Sequence, residues 1–338
     1  MAKQKAPTRS FNTVKHSNRD KRIKRKQNQR IVLLSIFLVV ILLVISMLSF
    51  CVLLVVDFFK GNQPDTPPVN DPDNGQNPAP PAEVVYVALP QLNSEMSKGE
   101  LIIINGSHTY DPSKAENLQV IHGSQPKSDL GYDIYSVGNP AWKLNTTALD
   151  ALNQMLQTYY NASDNDTDIK VGSAYRTAQE QESFSTPVGQ SDHHSGYCLT
   201  LKTAAGYLHQ NHWIYENCHK YGFVVRYPEG KEAITGVSDY GWCFRYVGVA
   251  HATYMKANNL CMEEYVSLLQ QNYQNSTDLT FTGADGNQYK VYYTPASTSD
   301  TLTTLQVPSN YEYSISGDNM GGFIVTVNLS KPITPSAE

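Results

Sequence analysis

The longest apolar run in the chain lies near its N-terminus. Residues 31–56 are 26 consecutive positions without a charged side chain, and only three serines interrupt the apolar residues. About 20 apolar residues are enough to cross the hydrocarbon core of a bilayer. A buried helix of a globular core would normally carry a polar stripe along one side. The run therefore predicts one transmembrane helix at 31–56.

Charge on either side of this run predicts its orientation. Residues 1–30 hold eleven of the 26 Lys and Arg side chains and a single acidic residue, Asp20. Basic segments next to a span stay in the cytoplasm, where they also contact anionic lipid. We therefore expect a single-pass protein of the cell membrane, with a basic cytoplasmic tail at 1–30 and an extracytoplasmic main domain. The rest of the chain has a net charge of about −15, which argues against nucleic acid as a partner.

Composition divides the remainder into three parts. Residues 57–83 form a predicted linker, because seven prolines between 61 and 83 favour an extended spacer. Residues 84–272 mix helical and strand periodicities, so the predicted fold class is α+β. Residues 275–331 alternate apolar and polar positions around an Asp285-Gly286 turn, which predicts a small all-β domain of four or five strands.

Within 84–272, the clearest pattern is helical. Apolar side chains between Leu149 and Tyr159 recur at helical spacing, and Asn145 or Thr146 precedes them as a candidate cap. Further predicted elements are strands at 169–171, 223–226 and 242–246, and helices at 212–221 and 263–269.

Several short motifs follow one another in this part of the chain. They are Leu101-Ile102-Ile103-Ile104-Asn105, Ser173-Ala174-Tyr175-Arg176-Thr177 with Gln181, Ser191-Asp192-His193-His194-Ser195-Gly196, Tyr221-Gly222-Phe223-Val224-Val225-Arg226-Tyr227-Pro228 with Gly230-Lys231-Glu232 and Ile234-Thr235-Gly236, and Phe244-Arg245-Tyr246-Val247-Gly248. In this order they resemble the VanY-like zinc D-alanyl-D-alanine carboxypeptidases. The resemblance covers about residues 101–265 and implies the core fold that this family shares with the hedgehog signalling domain. It also implies that 101–105 is the opening strand.

The resemblance implies a catalytic plan that this chain only partly retains. In the family, zinc is held by the His of S-x-H, an Asp seven residues later and the His of E-P-W-H, whose Glu is the general base. Here the first position is His193, but the second is Thr200 and the third is Cys243. Tyr240 occupies the general-base position, in the sequence Tyr-Gly-Trp-Cys. Loss of a general base alone typically lowers the rate 10²–10⁴-fold, so we expect no intact catalytic set and an inactive enzyme.

The substrate side is better retained. By the resemblance, Arg176 and Ser191 stand beside the end of the substrate peptide, with Gln181 nearby. An arginine fork suits a terminal carboxylate. Structural roles compete with these assignments: a salt bridge for Arg176, a cap for Ser191, and a hydrogen-bonded core position for His193.

The cysteines leave three alternatives open. Cys198 lies two residues before Thr200 and therefore on the same strand face, so a Cys198–Cys243 disulfide could replace the metal, with Cys218 and Cys261 as the remaining pair. All four could instead be free buried thiols. We otherwise expect no cofactor, but zinc becomes possible if His193, Cys198 and Cys243 form a site.

These features lead to a functional hypothesis. The chain is expected to be a membrane-anchored, extracytoplasmic, non-catalytic pseudo-peptidase that binds peptidoglycan stem peptides or scaffolds cell-wall proteins. The bilayer, through 31–56, and wall-synthesis proteins are further expected partners. The alternative is an active zinc D-alanyl-D-alanine carboxypeptidase with an altered ligand set.

Overall fold

The central element of the fold is a six-stranded sheet in the order β3-β5-β6-β9-β8, with β7 paired to β6. This is a computed structural model, and it describes residues 83–208, 210–238, 240–274 and 277–333. The strands are β3 Ser136–Val137, β5 Lys170–Ser173, β6 Cys198–Thr203, β7 Gly206–Tyr207, β8 Phe223–Val225 and β9 Cys243–Tyr246. Only β3 and β5 pair in parallel. A separate antiparallel pair joins β2 (Leu118–Val120) to β4 (Lys143–Asn145).

Short and long helices surround the sheet. They are α1 Thr146–Ala162, α2 Ala178–Gln181, α3 Trp213–Asn217, α4 Glu232–Thr235, α5 Val249–Ala257 and α6 Met262–Asn272, with 3₁₀ turns at Asn93–Ser97, Pro112–Lys114, Asp192–Ser195 and Cys218–Tyr221. The predicted helix at 212–221 is thus an α-helical turn followed by a 3₁₀ turn. It ends at Gly222, whose φ of +82° is one that glycine adopts readily.

The longest helix confirms its sequence pattern. Asn145 caps α1 by accepting a hydrogen bond from the backbone N–H of Thr147 at 3.0 Å. The apolar side chains of the helix, including Leu152 and Leu156, are fully buried. They pack into the same core as Phe244 and other residues of the sheet.

Two antiparallel sheets make up the C-terminal β region. One has the order β10-β11-β14-β13 and the other pairs β1 with β12. Their strands are β1 Tyr86–Leu92, β10 Leu279–Thr282, β11 Gln288–Pro295, β12 Leu302–Pro308, β13 Tyr311–Gly317 and β14 Gly322–Pro332. The predicted Asp285-Gly286 hairpin turn is present between β10 and β11, and Gly286 has a φ of +78°.

The β region and the mixed region share a hydrophobic core. A cluster of buried side chains joins Val224 and Leu269 to Val291 and Ile324. In addition, β1, which the sequence pattern assigned to the 84–272 domain, pairs along its whole length with β12. All described residues lie within one compact unit, Ala79–Glu338. The domain boundaries drawn from the sequence stay a prediction.

One predicted element is wrong. Residues 101–105 are buried at their apolar positions but form no strand. Their backbone bonds go instead to the end of β13 and the turn that follows it, as in Ile103 N–H to the Asp318 carbonyl at 3.0 Å and Leu101 N–H to the Ser316 hydroxyl at 2.9 Å. Single bonds to a turn cannot form a strand ladder.

The predicted membrane segment cannot be compared with the structure. Residues 1–82, which include the predicted tail, the span at 31–56 and nearly all of the linker, lie outside the described residues. Within the described part of the chain, no helix has the length and apolar character needed to cross a bilayer.

Candidate functional site

The candidate site lies on one face of the central sheet, where β6 and β9 run side by side. Thr200 pairs with Cys243, and Cys198 pairs with Arg245, in antiparallel register. Because alternate residues of a strand point to opposite faces, Leu199 points away from Cys198 and Thr200, into the main core. The opposite face therefore presents the two cysteines.

The structure brings three side chains of the predicted site into one buried cluster. Donor atoms of His193, Cys198 and Cys243 all lie within 4.8 Å of one another, and all three residues are buried. The 3₁₀ turn Asp192–Ser195 supplies the histidine. In the structure both cysteines are free, with their Sγ atoms 2.9 Å apart. A disulfide bond measures about 2.05 Å, so the predicted bridge is not present. Cys218 and Cys261, its leftover pair, are likewise free.

The orientation of the His193 ring is fixed by a backbone group. Its Nδ1 lies 2.8 Å from the Ala174 carbonyl oxygen. A carbonyl oxygen can only accept, so Nδ1 carries a proton, and Nε2 is the ring nitrogen left for another partner. The hydrogen bond expected of a core histidine is made by Nδ1. The other ring nitrogen, Nε2, is available to ligate a metal.

The two thiols are electrostatically unequal. The hydrogen bond with Cys198 and the neighbouring His193 imidazole lower the pKa of Cys243 to about 6, although burial opposes this. Burial raises the pKa of Cys198 well above its usual value. The surroundings thus favour ionisation of Cys243 over that of Cys198, and the two sulfurs share one hydrogen bond.

An aromatic group at the surface stands where the sequence predicted the position of the general base. Tyr240 is 43% exposed, and its ring makes edge contacts with Tyr227 and with Trp242, at centroid distances of 6.3 and 5.3 Å. Trp242 in turn stacks on Tyr207 at 4.1 Å. A phenol is a far weaker base than a carboxylate at neutral pH, so this aromatic row does not reproduce the chemistry of a glutamate.

The substrate-side prediction concerns Arg176, which the structure places beside the cluster. Its Nε and Nη2 donate to the Ser173 hydroxyl at 3.1 and 2.9 Å, and its Nη1 donates to Gln181 Oε1 at 3.1 Å. The guanidinium also lies 3.7 Å from the centre of the Phe184 ring. Burial lowers the pKa of Arg176, and the nearby thiols of Cys198 and Cys243 oppose this effect.

Arg176 lacks the structural salt bridge that was its alternative explanation. No carboxylate lies within ion-pair distance of it in the part of the chain that the structure describes. Ser191 is buried at the start of the 3₁₀ turn, and its side chain does not cap that turn. The roles assigned to Arg176, Gln181 and Ser191 stay predictions.

The sequence did not predict the charge network behind the site. Asp192 is fully buried and accepts hydrogen bonds from Arg226 Nε, at 2.9 Å, and from Arg245 Nη1. Arg226 also pairs with Glu263 at 2.7 Å. The only available signal was an acidic residue next to His193 and two arginines inside apolar strand motifs. Since both carboxylate oxygens of Asp192 are occupied, it holds the turn in place and is not a substitute metal ligand.

The fold and the site together define a mixed α/β domain that carries a buried His/Cys/Cys cluster on one face of its central sheet. Residues 141–249 match the profile of the D-alanyl-D-alanine carboxypeptidase family VanY. This segment therefore forms a VanY-family domain, as its motifs predicted.

Known relatives agree with this assignment. A D-alanyl-D-alanine carboxypeptidase from Enterococcus faecium is 36% identical over 168 residues, which are 46% of this chain and 53% of the relative. One from Enterococcus faecalis (strain ATCC 700802 / V583) is 36% identical over 99 residues, or 28% and 37% of the two chains. The chain thus spans about half, or less, of the length of the curated relatives it matches.

A solved structure extends the likeness of fold. The vancomycin-resistance D,D-dipeptidase VanXYg, crystallised with a D-Ala-D-Ala phosphinate analogue, superposes with a TM-score of 0.60 at 23% identity. The match covers 72% of this chain and 99% of that protein. At this identity it establishes the mixed α/β peptidase fold.

Proposed function

We propose that this chain is a membrane-anchored, extracytoplasmic member of the family that binds the carboxylate end of peptidoglycan stem peptides without cleaving it. One observation supports this more than any other. Arg176 is a partly buried guanidinium with no carboxylate partner among the described residues, beside a site whose general-base position is Tyr240.

Physical chemistry supports binding at Arg176. Ser173 and Gln181 accept from its nitrogens and Phe184 covers its plane, so the side chain is held in one orientation before any ligand arrives. Less conformational entropy is then lost on binding. A guanidinium without a carboxylate partner gains a charge-assisted, bidentate contact from a terminal carboxylate. The Enterococcus faecium relative carries the name D-alanyl-D-alanine carboxypeptidase, and a peptide with a free carboxyl end is the corresponding ligand class.

Tyr240, at the position predicted to hold the general base, supports binding without turnover. In the catalytic plan that the resemblance implies, a carboxylate takes the proton of the zinc-bound water, and loss of such a base typically lowers the rate about 10²–10⁴-fold. Tyr240 offers a phenol at the surface, and the carboxylate of Asp192 is committed to Arg226 and Arg245. We expect no release of D-alanine from a peptide ending in D-Ala-D-Ala, even with zinc added.

The anchoring and location are proposals from the sequence. The uncharged run at 31–56 and the basic residues before it support a single span with the domain outside the cytoplasm. The proline-rich linker then holds the domain away from the bilayer, where a wall peptide is within reach.

Binding is tested with the purified full chain and two synthetic stem peptides, one with a free C-terminal carboxylate and one with an amide. Calorimetry measures affinity, and chromatography of the mixture measures D-alanine release. A charge-assisted hydrogen bond contributes about 1.5–3 kcal/mol, so Arg176→Ala should weaken binding of the free acid about 10- to 150-fold. Lys220→Ala, at an exposed position of the same domain, is the control and should bind as wild type does.

The amide peptide makes the result specific to the carboxylate. Wild type should discriminate between acid and amide, and Arg176→Ala should not. Equal affinities of wild type and Arg176→Ala for the acid, or no binding at millimolar peptide, would contradict a recognition role and favour a scaffold for wall-synthesis proteins.

A second function is favoured by the buried cluster of His193, Cys198 and Cys243. With zinc bound there, the chain would be a D-alanyl-D-alanine carboxypeptidase with an altered ligand set. Release of D-alanine that requires zinc and is lost in His193→Ala would establish this alternative and refute the non-catalytic proposal.

A further inference from the structure

We infer that His193, Cys198 and Cys243 form a thiolate-rich site for a soft divalent metal such as Zn²⁺, with a donor set that differs from the His/Asp/His set of the family. One donor, Cys198, does not stand at a family ligand position at all. This inference does not depend on peptide binding at Arg176, and either can fail without the other.

The first support is the chemistry and direction of the donors. Two cysteine sulfurs and one imidazole nitrogen are the ligands that zinc accepts in tetrahedral sites. His193 donates Nδ1–H to the Ala174 carbonyl at 2.8 Å, and this leaves Nε2 as the ring nitrogen that can bind a metal. Metal-bound histidines are commonly oriented by this kind of bond from the other ring nitrogen.

Distance is the second support. The donor atoms lie within 4.8 Å of one another. Zinc bonds of about 2.3 Å to sulfur and 2.0–2.1 Å to nitrogen place tetrahedral donors about 3.5–3.8 Å apart. Bringing the cluster onto a metal therefore takes side-chain shifts of about 1 Å, and the two sulfurs, now 2.9 Å apart, must separate slightly.

Strand register argues against a disulfide as the alternative. Cys198 is opposite Arg245 and Cys243 is opposite Thr200, so the two cysteines are diagonal neighbours on adjacent strands. Diagonal neighbours have Cα atoms about 7–8 Å apart, whereas disulfides need about 4.4–6.8 Å.

Charge is the third support. The two sulfurs are buried in the protein, where a thiolate without a counter-cation is costly. Arg176 is the nearby cation, and its guanidinium carries a single positive charge. The carboxylate of Asp192 is neutralised by Arg226 and Arg245. A divalent cation would compensate two thiolates at once, and sulfur donors favour zinc over magnesium or calcium.

Cobalt(II) titration of the reduced, chelator-treated full chain tests the inference. Tetrahedral cobalt(II) with sulfur ligands has intense visible bands and a near-ultraviolet thiolate-to-cobalt charge-transfer band. We expect one cobalt per chain with both features, and their loss when Zn²⁺ displaces the cobalt. Zinc should also protect Cys198 and Cys243 from alkylation, as read by peptide mass spectrometry.

Two substitutions on one strand face separate this donor set from the family's. Loss of a residue that only supports a metal ligand weakens metal binding by up to about 100-fold. Cys198→Ser removes a proposed ligand, so it should weaken zinc binding by more than this, and it should reduce the charge-transfer band. Thr200→Val, a change of similar size at the family's ligand position, should leave both unchanged. Tryptophan fluorescence checks that each variant is folded, and His193→Gln provides a second ligand variant.

Three results would overturn the inference. They are the absence of cobalt uptake by reduced wild type, uptake without the charge-transfer band, and equal weakening by Thr200→Val and Cys198→Ser. A Cys198–Cys243 disulfide that survives mild reduction of the purified chain would also refute it and restore the covalent alternative.

Discussion

The buried network around Asp192 allows a quantitative test of what holds the site together. Asp192 and both of its arginine partners are almost completely inaccessible to solvent. Burial alone would raise the pKa of Asp192, but Arg245 and Arg226 lower it overall. The carboxylate therefore remains charged in the folded protein, and the turn that carries His193 is held to two strands.

Replacement by asparagine removes the charge and keeps the shape. Asp192→Asn leaves Arg226 with Glu263 as a partner, but Arg245 keeps only neutral acceptors, the carbonyls of Glu100 and Ile102 among them. Removing one partner of a buried ion pair typically costs about 3–5 kcal/mol. Since a domain is stable by only about 5–15 kcal/mol, this is a large fraction of the total.

The assay is urea unfolding of the full chain followed by tryptophan fluorescence. The three tryptophans of the chain, Trp142, Trp213 and Trp242, lie in the described mixed region, so the signal reports this region alone. With an m-value of about 3 kcal/mol/M, the midpoint should fall by about 1–2 M urea. The control is Glu216→Gln, which breaks the exposed pair with Lys256 at 3.3 Å; it should cost less than about 1 kcal/mol.

The pH dependence checks the sign of the electrostatic argument. A depressed pKa means that Asp192 contributes stability above its unfolded value of about 3.9, and that this contribution is lost as pH falls through the lower folded pKa. The difference between wild type and Asp192→Asn should therefore persist from pH 7 to pH 5. An Asp192→Asn variant as stable as the Glu216→Gln control would refute the claim that this network organises the turn.

Two further predictions follow from burial and from charge. His251 is fully buried between the Tyr265 hydroxyl, at 2.7 Å, and the Thr326 hydroxyl, at 2.9 Å, and burial lowers its pKa to about 3. Because the unfolded chain binds a proton near pH 6.5 and the folded one does not, this residue should cost wild type about 2 kcal/mol of stability between pH 7 and pH 5. Urea titrations should show no such contribution in His251→Gln, and an identical pH dependence in both proteins would contradict the argument. For topology, protease added to intact spheroplasts should degrade residues 57–338 and spare 1–30, and the reverse pattern would show that the orientation is wrong.

The sequence predicted those elements whose causes are local. The helix α1 follows from its apolar spacing and the Asn145 cap, and the hairpin follows from Asp285-Gly286. Contact between Cys198 and Cys243 was one of the alternatives that the sequence left open, because by the resemblance positions 200 and 243 lie close together, and the register of β6 and β9 places them so. Apolar spacing, helix caps and turn residues each act within about a dozen residues, so a short stretch of sequence contains the whole signal.

Elements whose partners are distant in sequence were not predicted. The segment 101–105 is fixed by Ser316 and Asp318, more than 200 residues later, so its apolar pattern wrongly indicated a strand. Likewise, Asp192 finds its arginines 34 and 53 residues away. Whether Cys198 and Cys243 form a disulfide depends on a difference of about 1 Å in the distance between their sulfurs. No sequence pattern specifies a distance so finely.

The site also explains how substrate-side motifs can persist while metal ligands change. Three hydrogen bonds join the segment from Ala174 to Arg176 to the turn that holds His193 and His194. His193 Nδ1 donates to the Ala174 carbonyl, His194 Nδ1 donates to the Arg176 carbonyl, and Arg176 N–H donates to the His193 carbonyl, at 2.8, 2.8 and 3.3 Å. These three bonds stabilise the backbone of this region, whatever ligand the domain binds. The guanidinium of Arg176 takes no part in these bonds, so Arg176→Ala leaves all three in place. A loss of peptide affinity in this variant would consequently report on carboxylate recognition and not on the integrity of the turn.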